Sequence, residues 1–296
     1  VRQFNSMLLI EPWQVLTKAG TPYKVFTPFW RNVFSQLQLR AEYPSPKSLA
    51  AFPGIPGLDI ESLELLPSRQ WHLEFWQHWQ PGELGAQELL EIFCDSAING
   101  YKGQRNLPDR TGTSKLSPHL HFGEISVHQI WRQIQKMKAA SALAEDVSCY
   151  FSELGWREFS AYLLHHFPQS SRQDLNPQFQ HFKWATPDPE LLDKWKHGWT
   201  GIPIVDAGMR ELMHTGWMHN RIRMVVASFL CKNLRYHWME GARWFWDALL
   251  DADLANNSQG WQWVAGTGCD ASPYFRIFNP VAQAERFDPS ARYIKR

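Results

Sequence analysis

The sequence predicts a mainly α-helical protein, and three observations support that fold class. From Gly85 onward, apolar residues recur at the three- and four-residue intervals that place them on one face of a helix. Helix starts are also marked, because Ser126 and Gln129 form a capping box. Ser117-Pro118 resembles an N-cap followed by proline at the first helical position. No internal repeat or coiled-coil heptad competes with this interpretation.

The predicted elements follow in a simple order. Residues 1–12 contain the apolar run FNSMLLIEP, which predicts one strand that ends at Pro12 and whose partner strands should lie before Val1. Residues 13–84 are interrupted by prolines and glycines, which predicts a long irregular connector with short helices, packed by its aromatic residues. The helical region that follows has candidate helices at 86–99, 126–138, 143–166, 189–197, 203–214, 217–236, 240–250 and 272–279.

Composition limits the class of protein. The chain has 296 residues with 16 Trp and 18 Phe, enough for one large domain and a smaller piece. A formal net charge of +1 excludes a globally basic nucleic-acid binder, but it permits a locally basic face. No apolar run approaches the roughly 18 residues of a membrane span, and no signal peptide is evident. The four cysteines form no CxxC pair, which favours a reduced, cytoplasmic protein without a zinc or disulfide framework.

Residues 251–288 carry the strongest functional signal. Within 251–263 the chain places two carboxylates, two amides and two indoles: Asp251, Asp253, Asn256, Asn257, Trp261 and Trp263. Buried amides and carboxylates cost free energy unless partners satisfy them, so this run is a poor way to build a plain core. A planar, polar heterocycle bound inside the protein would supply those partners.

Three further segments offer chemistry, each with a plainer alternative. The run GTSKLSPHLHFGE at 112–124 places hydroxyls and backbone N–H groups before a helix start. Such groups can bind a diphosphate, with Tyr101 closing one side of the site. The plainer alternative is that this run is an ordinary helix cap. Within 143–166, Glu153, Trp156 and Arg157 share one helix face and could grip a base pair, or could form a surface ion pair beside a core Trp.

The helix predicted at 217–236 completes the set. It carries Trp217, Asn220 and Met224 on one stripe, and Arg223 is a plausible partner for Asp251. Asn220 is equally compatible with an ordinary amide on a helix surface. A metal site is not expected, because His119 and His121 are two residues apart and no third ligand lies at usable spacing.

These segments together resemble the DNA photolyase and cryptochrome family. Tyr101 and GTSKLSPHLHFGEIS, then ELGWREF, TGIPIVDAGMRELMHTGWMHNRIRMVVASFL, DADLANN, GWQW and PYFRIFNP follow in the family's order, and YKVFTPFW at 23–30 resembles its interdomain connector. The resemblance is to a class I-like cyclobutane pyrimidine dimer photolyase. It implies an all-helical FAD-binding domain at 85–296, a connector at 21–84, and at 1–20 the remnant of an α/β antenna domain. We therefore expect this chain to be a piece of a longer protein.

The resemblance also implies roles for individual residues. The FAD contacts would be Tyr101, Thr113, Ser114, Lys115, Leu116, Ser117, Tyr150, Arg157, Asn220, Arg223, Asp251, Asp253 and Asn257. The catalytic pocket would be formed by Glu153, Trp156, Met224 and Asn257, the last of these beside flavin N5. An electron relay to the flavin would comprise Trp261, Trp238 and Trp184, and DNA phosphates would be contacted by Arg105, Arg221 and Arg276.

The function implied is light-driven repair of pyrimidine dimers by electron transfer from reduced FAD. The expected partner is UV-damaged DNA bound by a monomer, cytoplasmic or, in a bacterium, nucleoid-associated. An antenna pigment, folate or deazaflavin, would belong to the N-terminal domain. Three alternatives stay open: a cryptochrome-type photoreceptor, a (6-4) photolyase, and a helical DNA-binding module without flavin.

Overall fold

The structure is a computed structural model that describes residue 5 and residues 7–41, 43–50, 54, 57–66, 70–137 and 143–296. Within these ranges the chain forms helices and no strand, which confirms the mainly α-helical fold class. The α-helices are α1 Phe26–Gln36, α2 Glu83–Ile92, α3 Tyr101–Gln104, α4 Ser117–Phe122, α5 Val127–Met137, α6 Ala144–His166, α7 Pro189–His197, α8 Pro203–Thr215, α9 Asn220–Ser228, α10 Trp238–Ala248, α11 Leu254–Ala265 and α12 Pro280–Phe287.

Shorter helical turns connect these elements. Five 3₁₀ helices within the described residues cover Pro12–Gln14, Ile60–Leu63, Gln70–Gln77, Pro168–Ser171 and Pro177–Phe179. In the same part of the chain, two π-helical segments, Phe93–Ala97 and Phe229–Asn233, continue α2 and α9. Such segments shift the register of the side chains that follow, and they occur often at functional sites.

The strand predicted at residues 1–12 does not form where the structure describes it; residues 1–4 and 6 lie outside the described residues. A strand needs a neighbouring strand to satisfy its backbone groups. This segment instead lies on α6, where the Leu9 N–H donates to the Glu158 carboxylate at 2.9 Å. Nearby, Arg157 donates to the Met7 carbonyl oxygen at 2.6 Å. Side chains of a helix therefore take the place of a sheet.

Several predicted helices agree with the structure, because their termini carry clear local signals. The helix predicted at 189–197 is confirmed, and Asp188 caps it by accepting from the Glu190 N–H at 2.8 Å. The capping box before α5 is also confirmed: the Ser126 N–H donates to Gln129 Oε1 at 2.8 Å, and the Gln129 N–H donates to Ser126 Oγ at 3.2 Å. Its last predicted residue, 138, lies outside the described residues.

Three sequence predictions need correction. The helix predicted at 217–236 starts at Asn220, because His219 Nδ1 accepts from the Arg221 N–H and caps it. The helix predicted at 272–279 is wrong: this stretch is irregular, and a helix capped by Asn279 begins at Pro280. The helix Leu254–Ala265 was missed, since its polar and aromatic residues suggested ligand contacts and concealed the helical period.

The long helix α6 organises the core. Its apolar residues contribute to one cluster with α2, α4 and α5, and to a second with α1, which includes Phe29, Val33 and Phe159. A third cluster lies among α7–α11 and encloses Trp195, Trp238 and Trp261. Because α6 also packs against α3 and α11, it contacts helices that contribute to the first and to the third cluster.

Candidate functional site

The loop 112–117 forms one side of the candidate site. Ser114 Oγ accepts from the Tyr150 hydroxyl at 3.1 Å, and Ser117 Oγ accepts from Trp217 Nε1 at 3.2 Å. Lys115 has a left-handed backbone, with φ of 53°, and its ammonium lies 5.4 Å from the centre of the Trp217 ring. Left-handed backbone is uncommon outside glycine, and it often marks a functional turn. The loop is thus fixed to both α6 and the segment before α9.

One expectation for this loop changes. Ser117 was predicted to cap the helix, whereas α4 begins at Ser117 itself and Leu116 occupies the cap without a side-chain hydrogen bond. The Ser117 hydroxyl instead holds Trp217. Lys115 and Ser117 are exposed, Thr113 and Ser114 are half-buried, and Leu116 is buried. The loop therefore leaves Lys115 and Ser117 exposed and is anchored by the buried Leu116.

A second group of polar residues comes from α9 and the turn before α11. Arg223 Nη2 lies 3.0 Å from Asp251 Oδ1 and 2.8 Å from Oδ2, and Arg223 Nε donates to the Met218 carbonyl oxygen at 2.8 Å. The predicted Arg223–Asp251 pair is therefore present. Asp253 caps α11 by accepting from the backbone and side-chain N–H groups of Asn256 at 2.8 and 2.7 Å.

Asn257 and Met224 complete this part of the site. Asn257 Nδ2 donates to the Ala242 carbonyl oxygen at 2.8 Å, which fixes the amide against α10. Both Asn257 and Met224 are half-buried, and Asn220 at the start of α9 is exposed. His219 beside it is buried, with Nε2 lacking a hydrogen-bond partner among the described residues. Burial, and then the charges of Arg221 and Arg223, lowers the pKa of His219 to about 3, so its ring is neutral near pH 7.

These two groups fit FAD by the chemistry of their donors and acceptors. Hydroxyls and an ammonium on the loop 112–117 suit a diphosphate, since phosphate oxygens accept from both. The Arg223–Asp251 pair and the Asn257 amide offer charged and neutral hydrogen-bonding groups to a polar ring system. The unpartnered His219 Nε2 is a buried polar atom that a ligand could satisfy. Tyr101 packs 5.3 Å from Tyr150, ring centre to ring centre, and closes the same wall.

On α6 the three predicted residues point to different neighbours. Glu153 pairs with Arg105, with Nη2 and Oε2 2.6 Å apart. Trp156 stacks on Phe26 of α1, with ring centres 3.9 Å apart. Arg157 donates to the Met7 carbonyl oxygen at 2.6 Å, so its guanidinium contacts the N-terminal segment. The three residues predicted to act together on one helix face therefore make three separate contacts: an ion pair, an aromatic stack and a hydrogen bond to the N-terminal segment.

The environment of Glu153 matters for its chemistry. Burial raises the pKa of the Glu153 carboxyl, and the guanidinium of Arg105 opposes that rise. Arg105 also lies 5.8 Å from the centre of the Tyr101 ring. Glu153 is therefore connected through Arg105 to the wall that carries Tyr101.

Four arginines form a basic cluster beside this carboxyl. Burial lowers the pKa of Arg221 to about 10, and the positive charges of Arg105, Arg286 and Arg276 add to that effect. Arg221 donates to Asn106 Oδ1 at 2.7 Å, and its guanidinium lies 4.4 Å from the Phe287 ring centre. Arg276 and Arg286 are exposed. Mutual repulsion is relieved by anions, so the cluster is suited to bind phosphates.

The three predicted relay tryptophans lie in or against the third core cluster. The Trp261 ring packs directly on Gly241 of α10, so closely that a Cβ atom at Gly241 would lie 2.0 Å from the ring. Trp238 lies one helical turn before Gly241 on the same helix. His237 is adjacent to Trp238, with ring centres 5.5 Å apart, and Trp184 lies 5.4 Å from His237. Trp238 is fully buried and Trp184 is half-buried.

Sequence reasoning missed three residues that complete these groups. Asp174 accepts from Trp238 Nε1 at 2.8 Å, Asn106 holds Arg221, and Arg286 joins the basic cluster. Asp174 and Trp238 are 64 residues apart, so no local pattern could pair them. The ERF sequence around Arg286 was visible, but its relation to Arg221 depends on how α12 packs.

Two other expectations concern metals and membranes. His119 Nδ1 lies 2.5 Å from Glu124 Oε2, and no group of three His, Cys, Asp or Glu in the described part of the chain could hold a metal ion. Across the same residues, no helix combines the length and apolar character needed to cross a bilayer.

Comparisons with known proteins point in one direction. Residues 150–296 match the family model for the FAD binding domain of DNA photolyase, and residues 1–48 match the model for DNA photolyase. A deoxyribodipyrimidine photo-lyase of Agrobacterium fabrum is 45% identical over 298 residues, which is 100% of this chain and 62% of that protein. Cryptochrome-1 of Arabidopsis thaliana is 36% identical over 100% of this chain and 44% of that protein.

A solved structure is similar in both sequence and shape. The crystal structure of a bacterial class III photolyase from Agrobacterium tumefaciens has 44% sequence identity and a TM-score of 0.92. The match covers 98% of this chain and 60% of that one. The chain thus spans about three-fifths of the length of the photolyases it matches.

Proposed function

Because the chain belongs to the DNA photolyase and cryptochrome family, we propose that it forms the FAD-binding and DNA-facing part of an enzyme that repairs cyclobutane pyrimidine dimers in DNA with light. The observation that carries this proposal is the Arg105–Glu153 pair at the edge of the four-arginine cluster. There the Glu153 carboxyl, which could bind a damaged base, lies next to arginine guanidinium groups, which could bind the phosphates of the DNA backbone. Residues 1–20, 21–84 and 85–296 would then be antenna-domain remnant, connector and catalytic domain.

The residues that would hold FAD form two sets. The diphosphate would be bound by the loop 112–117, with Tyr101 and Tyr150 behind it. The ring system would be held by Asn220, Arg223, Asp251, Asp253 and Asn257. Bound and reduced, FAD supplies a light-excited electron donor for cleavage of the dimer. The pigment that would feed light to it, folate or deazaflavin, belongs to the N-terminal antenna domain.

The chain's own side chains would position the lesion and exclude water. The arginine cluster binds the backbone phosphates around the lesion, and a base taken out of the helix needs a pocket that replaces its stacking partners. Met224 and the Trp156 ring offer apolar walls for that pocket. Glu153 would offer its carboxyl as a hydrogen-bonding group to the polar edge of a pyrimidine. Since Glu153 already pairs with Arg105, a bound phosphate can draw Arg105 away and free the carboxyl for the base.

The decisive experiment measures dimer repair by the full-length protein. Oligothymidine irradiated with UV light is incubated with the purified protein in blue light and in darkness, and dimers are counted by chromatography. We expect a yellow preparation that contains FAD and repairs dimers only in light. A colourless protein prepared with ample riboflavin would contradict the proposal. A flavin-containing protein that photoreduces but repairs nothing would favour the alternative of a cryptochrome-type photoreceptor, since Cryptochrome-1 of Arabidopsis thaliana is also similar to this chain.

A further inference from the structure

The indole of Trp238 is hydrogen-bonded to a buried carboxylate. Trp238 is fully buried in the core cluster of α7–α11, and its Nε1–H donates to Asp174 Oδ1 at 2.8 Å. Only 6% of the Asp174 side chain is exposed, and its other oxygen, Oδ2, lies 3.7 Å from His237 Nε2. Burial raises the pKa of Asp174, but the neighbouring polar groups of His237, Trp238 and Thr267 outweigh it and hold this pKa below its usual value. The group is therefore an anionic carboxylate near pH 7.

Trp184, on the other side of His237, has a different environment. Its Nε1 is buried and has no hydrogen-bond partner in the part of the chain that the structure describes. The His237 ring lies 5.4 Å from Trp184 and 5.5 Å from Trp238, between ring centres. Two indoles that border the same histidine thus differ in one respect that matters for oxidation: a base contacts the N–H of Trp238.

A carboxylate at that position changes the chemistry of an oxidised indole. A neutral indole N–H does not protonate a carboxylate, whereas loss of one electron makes the same N–H about as acidic as a carboxylic acid. An acceptor already at hydrogen-bond distance permits transfer without rearrangement. Asp174 is also well placed as an acceptor, because Oδ1 already accepts from the Trp238 N–H at 2.8 Å, while the nearest His237 ring nitrogen lies 3.7 Å from Oδ2.

We propose that Asp174 accepts the indole proton of Trp238 when Trp238 gives up an electron to the photoexcited, oxidised flavin through Trp261. This inference rests on the proposed function, since it needs bound FAD as the oxidant. One electron leaves Trp238, its N–H bond breaks, and an O–H bond forms at Asp174 Oδ1. The pair changes from a neutral indole with a carboxylate to a neutral indolyl radical with a carboxylic acid. A thiol-class reductant in solution later returns the electron, and the proton moves back.

The proton transfer has a functional consequence. An indole radical cation is readily reduced by the electron that has just left it, so charge separation is short-lived. Moving the proton to Asp174 removes the positive charge from the ring and makes that return less favourable. Asp174 is thus assigned as the proton acceptor that lets photoreduction of the flavin persist, a role separate from dimer repair by protein that is already reduced.

The test uses the full-length flavoprotein and the variant Asp174→Asn. The amide keeps an oxygen that can accept from Trp238 but has no basicity, so the fold and the hydrogen bond are retained. After a light flash, the wild type should convert the protonated tryptophan radical to the neutral one, at least twofold more slowly in D₂O. The variant should yield at least tenfold less neutral radical. Asp193→Asn is the matched control, since Asp193 pairs with His197 at 3.3 Å in an exposed position.

Two further measurements separate the possible failures. In ¹⁵N-tryptophan spectra, recorded without illumination, Asp174→Asn should move the Trp238 indole signal and leave that of Trp195 in place, which confirms the contact. Trp238→Phe should abolish the neutral radical. An unchanged radical conversion in Asp174→Asn, or normal photoreduction in Trp238→Phe, would overturn the inference alone. Absence of any tryptophan oxidation in the wild type would likewise overturn the inference alone, whereas absence of FAD would overturn the proposed function together with it.

Discussion

The buried carboxylate Glu158 provides a stability prediction that does not depend on the cofactor. Glu158 lies on α6 with 3% of its surface exposed, and Oε2 accepts from the Leu9 N–H at 2.9 Å. Oε1 has no hydrogen-bond partner in the described residues, and Arg157 Nη1 lies 3.8 Å from it. Burial raises the pKa of Glu158 to about 7, against the opposing charge of Arg157 and hydrogen bonds from Leu9 and Ile10.

The direction of the pH effect follows from that shift. A carboxyl whose pKa is higher in the folded protein binds its proton more tightly there, so it contributes stability at low pH. That contribution is complete below the unfolded value, 4.5, and is lost as the pH rises towards about 7. With about 1.4 kcal/mol for each pKa unit, ionising Glu158 in the folded protein costs about 3 kcal/mol at pH 8.

The substitution Glu158→Gln removes this cost but adds a smaller one. The amide oxygen can still accept from the Leu9 N–H. The amide NH₂ group, however, would be buried at the position of Oε1 without an acceptor, which lowers the stability of the folded protein by about 1–2 kcal/mol. We therefore expect the variant to be more stable than the wild type by about 1–2 kcal/mol at pH 8 and less stable by up to about 1 kcal/mol at pH 5. Urea unfolding at several pH values measures both.

A matched control lies on the same helix. Glu145 has 80% of its side chain exposed and pairs with Lys102, so Glu145→Gln should leave the pH dependence of unfolding unchanged. Parallel stability profiles for the wild type and Glu158→Gln between pH 5 and pH 8 would refute the reasoning. Such a result would mean that water or a rearranged side chain solvates the carboxylate.

Three predictions concern function. Glu153→Ala should retain FAD but lower the quantum yield of repair by roughly tenfold, because the variant loses a hydrogen bond to the lesion worth about 1.5 kcal/mol. An unchanged quantum yield in a photochemical titration would contradict the role of Glu153. Arg276→Ala should weaken binding to UV-damaged DNA and lower the slope of log affinity against log salt by about 1, whereas equal slopes would remove Arg276 from the interface. Trp261→Phe should block photoreduction of oxidised flavin, followed by absorption, while repair by chemically reduced protein persists; normal photoreduction would exclude Trp261 from the relay.

Local signals in the sequence were enough for much of the helical framework. The Ser126–Gln129 capping box and the helix after Asp188 are confirmed, because a cap depends on residues within a single turn. Local reasoning failed where a segment could serve two purposes. The stretch 254–265 was interpreted as ligand-binding chemistry and is also a helix, and the apolar run before Pro12 has the composition of a strand but packs on α6.

The candidate site shows the same division. The sequence by itself determined which chemical groups the protein carries, and it paired Arg223 with Asp251 correctly across 28 residues. Only the tertiary structure decided that Arg105 contacts Glu153, that Arg286 joins Arg221, and that Asp174 meets Trp238. These contacts join side chains from helices and turns far apart in the chain. Such pairings follow from the packing of α6 and α9–α12 against one another, which composition and spacing do not encode.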